Sequence, residues 1–336
     1  MDLKHLQALI GIAECGSFSA AAESIGTVQS NISAHVARLE RELDVVLVDR
    51  STGRLTEEGE VVVARARRMM AELDAMAADV VSLRQEVSGT VRAGMIGTTG
   101  RWLVPELFAR LRARHPHVHL NVTDGSNSTL EPQVVTGQLD LAVVSLPVRG
   151  DELAVTPLFE EDLMLVVPSD HPLALAARHT VFGVTADGRS AASHDDPLPI
   201  SALADLELLL PMPGTVLRNE IDAVVKPTGI TLRPSIELDG VRMLASLTFD
   251  GYGPSILPAA AVPEHLRDQF RLLPLQGFPR RGVGIVVRSR GMPSSPTRVL
   301  IDVLHETVRD CSSMPGLHPV RSVEERRTRT PRSAAV

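Results

Sequence analysis

Between Val62 and Val87, apolar side chains stand at Val62, Ala66, Met69, Leu73, Met76, Val80, Leu83 and Val87, at spacings that alternate four and three. Neither glycine nor proline interrupts the stretch from Glu60 to Ser88, and Arg65, Arg68, Glu72, Asp79 and Arg84 occupy the other side of the helix. A sustained seven-residue repeat lays one narrow apolar stripe along a helix and winds it onto a partner. The plainer alternative is an amphipathic helix resting on its own domain. Length and regularity favour a dimerisation element over residues 60–89. That element divides the chain into a short piece before it and a long piece after it.

The short piece, residues 1–59, reads as three helices. Leu3, Leu6, Leu9, Ile10 and Ala13 follow a helical period that Gly16 ends. Ser17 is placed to cap a second helix, Phe18 to Ile25, which packs through Ala21, Ala22 and Ile25 and stops at Gly26. A third runs from about Gln29 to Leu43 with Ile32, Val36, Leu39 and Leu43 on one stripe. A tight glycine-bearing turn between the second and third helices makes a helix-turn-helix layout.

Beyond Gly89 strands and helices alternate. The first set has strands at 91–96, 118–122 and 139–144 with helices at about 103–114 and 129–136, a βαβαβ order that predicts a parallel sheet covered by helices. The second has strands at 163–167, 207–210, 234–238 and 255–257, with helices at 216–225 and 241–249. Strands near 270–273 and 283–288 and a helix at about 296–308 follow. Residues 181–199 read as a long surface loop. The segment 312–336 reads as a disordered, arginine-rich tail.

Composition narrows the function classes. No apolar run reaches the ~18–20 residues of a membrane-spanning helix, and the N-terminus lacks a signal-peptide layout, so the expected compartment is cytoplasmic. Cys15 and Cys311 are the only cysteines, which leaves no disulfide framework, no cysteine zinc site and no cysteine pair in the long domain for a peroxide-type switch. No Gly-x-Ser-x-Gly elbow, phosphate-cradling glycine loop or His-Glu-x-x-His motif is present. His115, His117 and His119 sit at a helix-to-strand turn with only Asp124 nearby, a poor metal set. No cofactor and no metal are expected. The net charge of −7 argues naively against nucleic acid. It is unevenly spread, however: residues 28–54 are neutral overall, and residues 321–336 carry +3.

Phe18-Ser19-Ala20-Ala21-Ala22-Glu23, Gln29-Ser30-Asn31-Ile32-Ser33, Arg38-Leu39-Glu40, Asp49-Arg50 and Leu55-Thr56-Glu57-Glu58-Gly59 resemble, in order and spacing, the LysR-type transcriptional regulators. Ala34 stands where that family commonly has a basic residue, and the wing between Arg50 and Leu55 is short. The resemblance implies an N-terminal winged helix-turn-helix, a linker helix and a two-lobed α/β effector domain like a periplasmic binding protein. It would cover residues 90–311, with lobe I at about 90–161 and 267–311 and lobe II at about 162–266. It further implies a homodimer or homotetramer on a palindromic promoter in double-stranded DNA, and RNA polymerase as a candidate partner.

Within that frame, Gln29, Ser30, Asn31 and Ser33 are expected to face bases, with His35 and Arg38 one turn later. Gln and Asn suit adenine, and serine is adaptable. By resemblance, Arg50 and Arg54 bracket the wing. Ligands of two-lobed α/β domains sit beyond strand carboxyl ends at helix N-termini, where Gly97-Thr98-Thr99-Gly100 and Asp124-Gly125-Ser126-Asn127-Ser128 fall. Hydroxyls beside free helix N–H groups suit an anion, plausibly a carboxylate. The resemblance adds Thr98, Thr99, Ser126, Asn127 and Ser128 from the first lobe and Gly214, Thr215, Gly251 and Tyr252 from the second. Ordinary caps and turns are the competing reading of each such residue. Trp102 is expected to fill core. The alternative for the whole chain is a small-molecule-binding protein or enzyme with an N-terminal dimerisation module.

Overall fold

A computed structural model describes residues 1–83, 86–176, 197–311 and 314–320. The N-terminal unit holds α1 (Leu3–Cys15), α2 (Phe18–Ile25) and α3 (Gln29–Leu43), followed by a two-stranded wing of β1 (Val48–Asp49) and β2 (Arg54–Leu55). Asp2 and Ser17 cap the first two helices, and left-handed Gly16 and Gly26 end them. Leu9, Ile12, Ile32, Val36 and Leu39 form the core between them.

The linker helix α4 (Glu57–Ser82) is capped by Thr56 and closes that core with Val63 and Ala66. A Cβ on Gly59 would lie 2.1 Å from the Leu47 carbonyl oxygen, so the first turn of α4 can cross the approach to the wing only without a side chain there. The helix ends at Ser82, five residues short of the Val87 that closes its heptad pattern. Val87 leaves the expected stripe and packs against the core of lobe I. Arg84 lies outside the described residues.

Lobe I contains β3 (Gly89–Ile96), α5 (Gly97–Arg114), β4 (Val118–Gly125), α6 (Asn127–Thr136), β5 (Leu141–Ser145) and β6 (Leu153–Glu161). The chain then enters lobe II through β7 (Leu163–Pro168), α7 (Pro172–Ala176), β8 (Glu207–Pro211), α8 (Val216–Val225), β9 (Arg233–Leu238), α9 (Val241–Phe249), β10 (Ser255–Pro258) and β11 (Phe270–Pro274). It returns to lobe I with β12 (Arg281–Arg288), α10 (Ser295–Asp310) and β13 (Leu317–Pro319). The sheet orders are β13-β6-β12-β5-β3-β4 and β11-β7-β10-β8-β9.

The expected parallel βαβαβ set is present, but the full sheets are mixed. β3 pairs in parallel with β4 and β5, but the returning β12 is antiparallel to both β5 and β6. The second return comes later than expected too: β11 belongs to lobe II, so the crossover falls between Pro274 and Arg281. The tail is also corrected in part. Leu317–Pro319 extends the lobe I sheet along β6, and a Cβ on Gly316, at φ +70°, would lie 2.5 Å from that of Ala259. Residues 312, 313 and 321–336 lie outside the described residues, as do residues 181–196 of the expected loop. Among the described residues, no helix is long and apolar enough to cross a membrane.

Lobe I receives the polar side of α4. The Cα of Arg68 would lie 3.5 Å from a Cβ on Gly137, Arg288 approaches Glu72 at 3.9 Å, and Asp79 bonds the start of α10. Met69, Met76, Val80 and Leu83 are left exposed along the other side of the helix.

Candidate nucleic-acid interface and effector cleft

The N-terminus of α3 is open at the surface. Its N-cap is Val28, which makes no side-chain cap, so the first-turn N–H groups keep their partial positive charge. Gln29, Ser30 and Asn31 are exposed there, while Ile32, Val36 and Leu39 anchor the opposite side of the helix. Ser19 Oγ donates to Gln29 Oε1 at 3.1 Å, and Asn31 Nδ2 donates to Thr27 Oγ1 at 2.9 Å, which orients both amides before any ligand arrives.

The basic residues divide. Arg50 donates to Ser33 Oγ at 3.4 Å and to Glu40 Oε2 at 3.3 Å, while Glu40 Oε1 accepts the backbone N–H groups of Leu47 and Val48. Arg50 therefore ties α3 to the wing as well as carrying charge. Arg38 pairs with Glu42 at 3.3 Å, one turn further toward the acidic end of α3. His35 is half-buried with its ring centroid 5.4 Å from that of buried His5, which departs from the expected free contact. Arg54 is exposed and makes no ion pair among the described residues. Asp49 orders the wing: the Ser51 hydroxyl, chiefly, holds its carboxyl below the usual range, with Ser51 N–H and Thr52 adding to this.

A cleft of about 750 Å³ separates the lobes. The N-termini of α5, α6, α8 and α9 all reach it, through Gly97, Asn127, Val216 and Val241. Thr98, Ser126, Asn127, Ser128, Gly214 and Thr215 line it, as expected from their places beyond strand ends. Asn127 is already engaged, however, since its amide bonds the backbone N and O of Ser145 at 3.0 and 2.7 Å. It positions Ser145, which lines the cleft.

Three expected cleft residues do not line it. α5 begins at Gly97 instead of near Leu103, so Thr98 and Thr99 are helical and diverge by about 100°. Thr98 faces the cleft, whereas Thr99 is buried with its Oγ1 unpartnered. Gly251 and Tyr252 lie at the wrong end of the lobe II sheet. Their neighbour Gly253 approaches the carbonyl of Glu207, the first residue of β8, while the cleft opens at Pro211, the last. Trp102 is partly buried against the lobe I core, edge-on to Phe159.

Four charged residues that were not among the expected effector contacts also line the cleft: Asp124, Asp239, Arg242 and Arg281. Asp124 and Arg242 pair across the mouth at 3.1 Å. Asp124 belongs to a strand end already singled out, so its signal was available. Arg281 carries no local signal. It opens β12, whose antiparallel pairing sets Val283 against Ser145 and so brings the start of β12 to the end of β5.

Comparison with known proteins agrees with both parts. Residues 3–60 match the model described as "Bacterial regulatory helix-turn-helix protein, lysR family", and residues 84–309 match "LysR substrate binding domain". The chain is 30% identical over 312 residues, 90% of its length and 93% of the relative's, to a probable hydrogen peroxide-inducible genes activator of Mycobacterium leprae. It is 27% identical over 313 residues, 92% and 95% of the two chains, to the DNA-binding transcriptional dual regulator OxyR of Escherichia coli. Its fold is similar to that of a full-length Pseudomonas aeruginosa OxyR bearing a cysteine-to-aspartate substitution, with a TM-score of 0.71 at 24% identity, covering 96% of this chain and 99% of the other.

Proposed function

The chain belongs to the lysR family of bacterial regulatory helix-turn-helix proteins, and from that premise we propose how this transcriptional regulator meets DNA and which kind of effector switches it. Gln29, Ser30 and Asn31 read base edges in the major groove, Ser33 lets the helix approach closely, and Arg54 meets phosphate or the minor groove from the wing. Arg50 holds that geometry. Two copies pair through the exposed stripe of Met69, Met76, Val80 and Leu83, setting two α3 helices about 34 Å or a multiple apart on an interrupted palindrome. RNA polymerase is the partner through which such a complex alters transcription.

The effector is a small organic anion, a carboxylate, bound between the lobes. One observation carries this: four helix N-termini converge on one cleft whose walls supply Thr98, Ser126, Ser128 and Thr215 hydroxyls. The relatives' names speak of hydrogen peroxide, but a two-cysteine switch finds little support here. Cys15 is exposed on α1 and Cys311 ends α10, where burial pushes its thiol up. The test is retention of the DNA upstream of the protein's own coding sequence, with and without a panel of small acids. Specific, salt-sensitive retention that an acid alters is expected. Retention indifferent to every acid refutes the effector reading, and absence of retention refutes the DNA reading.

A further inference from the structure

Beneath the cleft, charges from both lobes meet. Arg281 of β12, only 6% exposed and lining the cleft, donates through Nη1 to Glu161 of β6 at 3.1 Å and through Nη2 to Ser145 of β5. Its Nε lies 3.7 Å from Glu220 Oε2 of α8 in lobe II, too far for a hydrogen bond. Arg281 Nε, Glu220 Oε2 and Glu161 Oε2 are all buried and unpartnered among the described residues. Buried polar atoms rarely stay unsatisfied, and three lie together in this cluster, directly behind the one member, Arg281, that lines the cleft.

We propose that this cluster anchors the carboxylate of a small organic acid on Arg281, and that the acid's anion enters together with one proton, which the Glu161–Glu220 pair retains. The inference rests on the effector reading above and specifies its chemistry.

The charge count requires the proton. One guanidinium already faces two carboxylates, and Asp162 just beyond β6 adds negative charge that its own partners, Arg280 at 3.2 Å and His318 at 2.9 Å, draw away from the cluster. A third carboxylate in a buried site raises the cost of keeping all of them ionised. Burial, more than Arg281 offsets, pushes Glu161 up to about 7, and burial also pushes Glu220 up. The pair thus holds a proton near neutrality, and an arriving anion strengthens its hold. Arg281 is suited to the anion because Nη1 and Nη2 each spend one N–H on Glu161 and Ser145 and keep a second to give. Glu220 belongs to lobe II and Arg281 to lobe I, so the same event resets a contact between lobes.

The experiment measures binding of acetate, benzoate, succinate and inorganic phosphate to the full chain by calorimetry between pH 5.5 and 8.5. In the wild type, affinity for at least one carboxylate should fall with rising pH, approaching about tenfold per unit above neutrality. Glu220→Gln should bind that acid at least about tenfold more tightly than wild type at pH 8 and converge with it at pH 5.5. Arg281→Lys keeps the charge but loses the fork, and should lose the acid while unfolding near the wild-type temperature. A flat wild-type profile overturns the proposal. So does equal affinity of wild type and Glu220→Gln at pH 8, full binding by Arg281→Lys, or tighter binding of phosphate than of every carboxylate. Retention of upstream DNA, measured without acid in the wild type, tests the DNA reading separately. Its loss in the wild type would count against the DNA reading and leave the cluster to the calorimetry.

Discussion

Asp79 Oδ1 on the linker helix accepts both the backbone N–H and the hydroxyl of Ser295, each at 2.7 Å. Ser295 opens α10, whose own N-cap Ser294 makes no capping bond, so a carboxylate from one domain caps a helix of the next. Ser82 and Arg298 join the same contact. Asp79 thus joins Ser82 and Glu72 in fixing how the linker helix sits on lobe I.

Asp79→Ala should cost about 1 kcal/mol of effector-domain stability, the usual worth of a lost cap. Asp79→Asn should cost less. The Ser295 hydroxyl, chiefly, holds this carboxyl below its ordinary range. Its contribution is present above the unfolded value and lost as pH falls through the lowered one. Denaturant melts at pH 7 and at pH 3 measure both effects, and identical wild-type and Asp79→Ala stabilities at pH 7 would remove the cap.

Arg54→Ala should weaken DNA retention and reduce the slope of log affinity against log salt by about 1.8, the share of two phosphate contacts, one from each copy of the dimer. Arg50→Ala should weaken retention as well and loosen the wing, seen as faster amide exchange in residues 48–55. An unchanged salt slope in Arg54→Ala takes that residue out of the interface.

Met76→Asp places a carboxylate in the middle of the exposed stripe of α4. Like charges facing each other across a helix pair oppose association. Sedimentation should report one chain in place of two or four, with the helical signal of the N-terminal unit retained. Assembly that survives the substitution would exclude this stripe as the pairing surface.

Glu161 is pushed up to about 7 by burial. A carboxyl raised in the folded state binds its proton more tightly there than in the unfolded chain, so stability declines as pH rises from its ordinary value toward 7 and levels off beyond. Glu161→Gln should flatten that decline. A wild-type midpoint that tracks the variant's across pH 4.5–7.5 would falsify the assignment.

Much of the local structure is legible in the residues. α8 and α9 fall where a helical reading places them, at Val216–Val225 and Val241–Phe249, because each repeats apolar side chains at helical spacing and follows a Thr or Gly turn. The start of α5 was missed because Gly97-Thr98-Thr99-Gly100 is a poor helix-forming run that packing overrides. β6 was missed as well. Pro157 breaks its pattern, and its register with β12 shifts at that point.

The sequence by itself determined the family, the three-helix reader, the linker and the strand ends that would border a cleft, since these depend on periodicity, caps and ordered motifs within a few turns of chain. Tertiary structure alone decided which side of α4 stays open, that Leu317–Pro319 joins a sheet, and that Thr99, Gly251 and Tyr252 stand off the cleft. It also decided that Arg281, Glu161 and Glu220 meet. Those outcomes depend on strand order and on which lobe a returning segment enters, and residues 61 and 120 positions from Arg281 share no local signal with it.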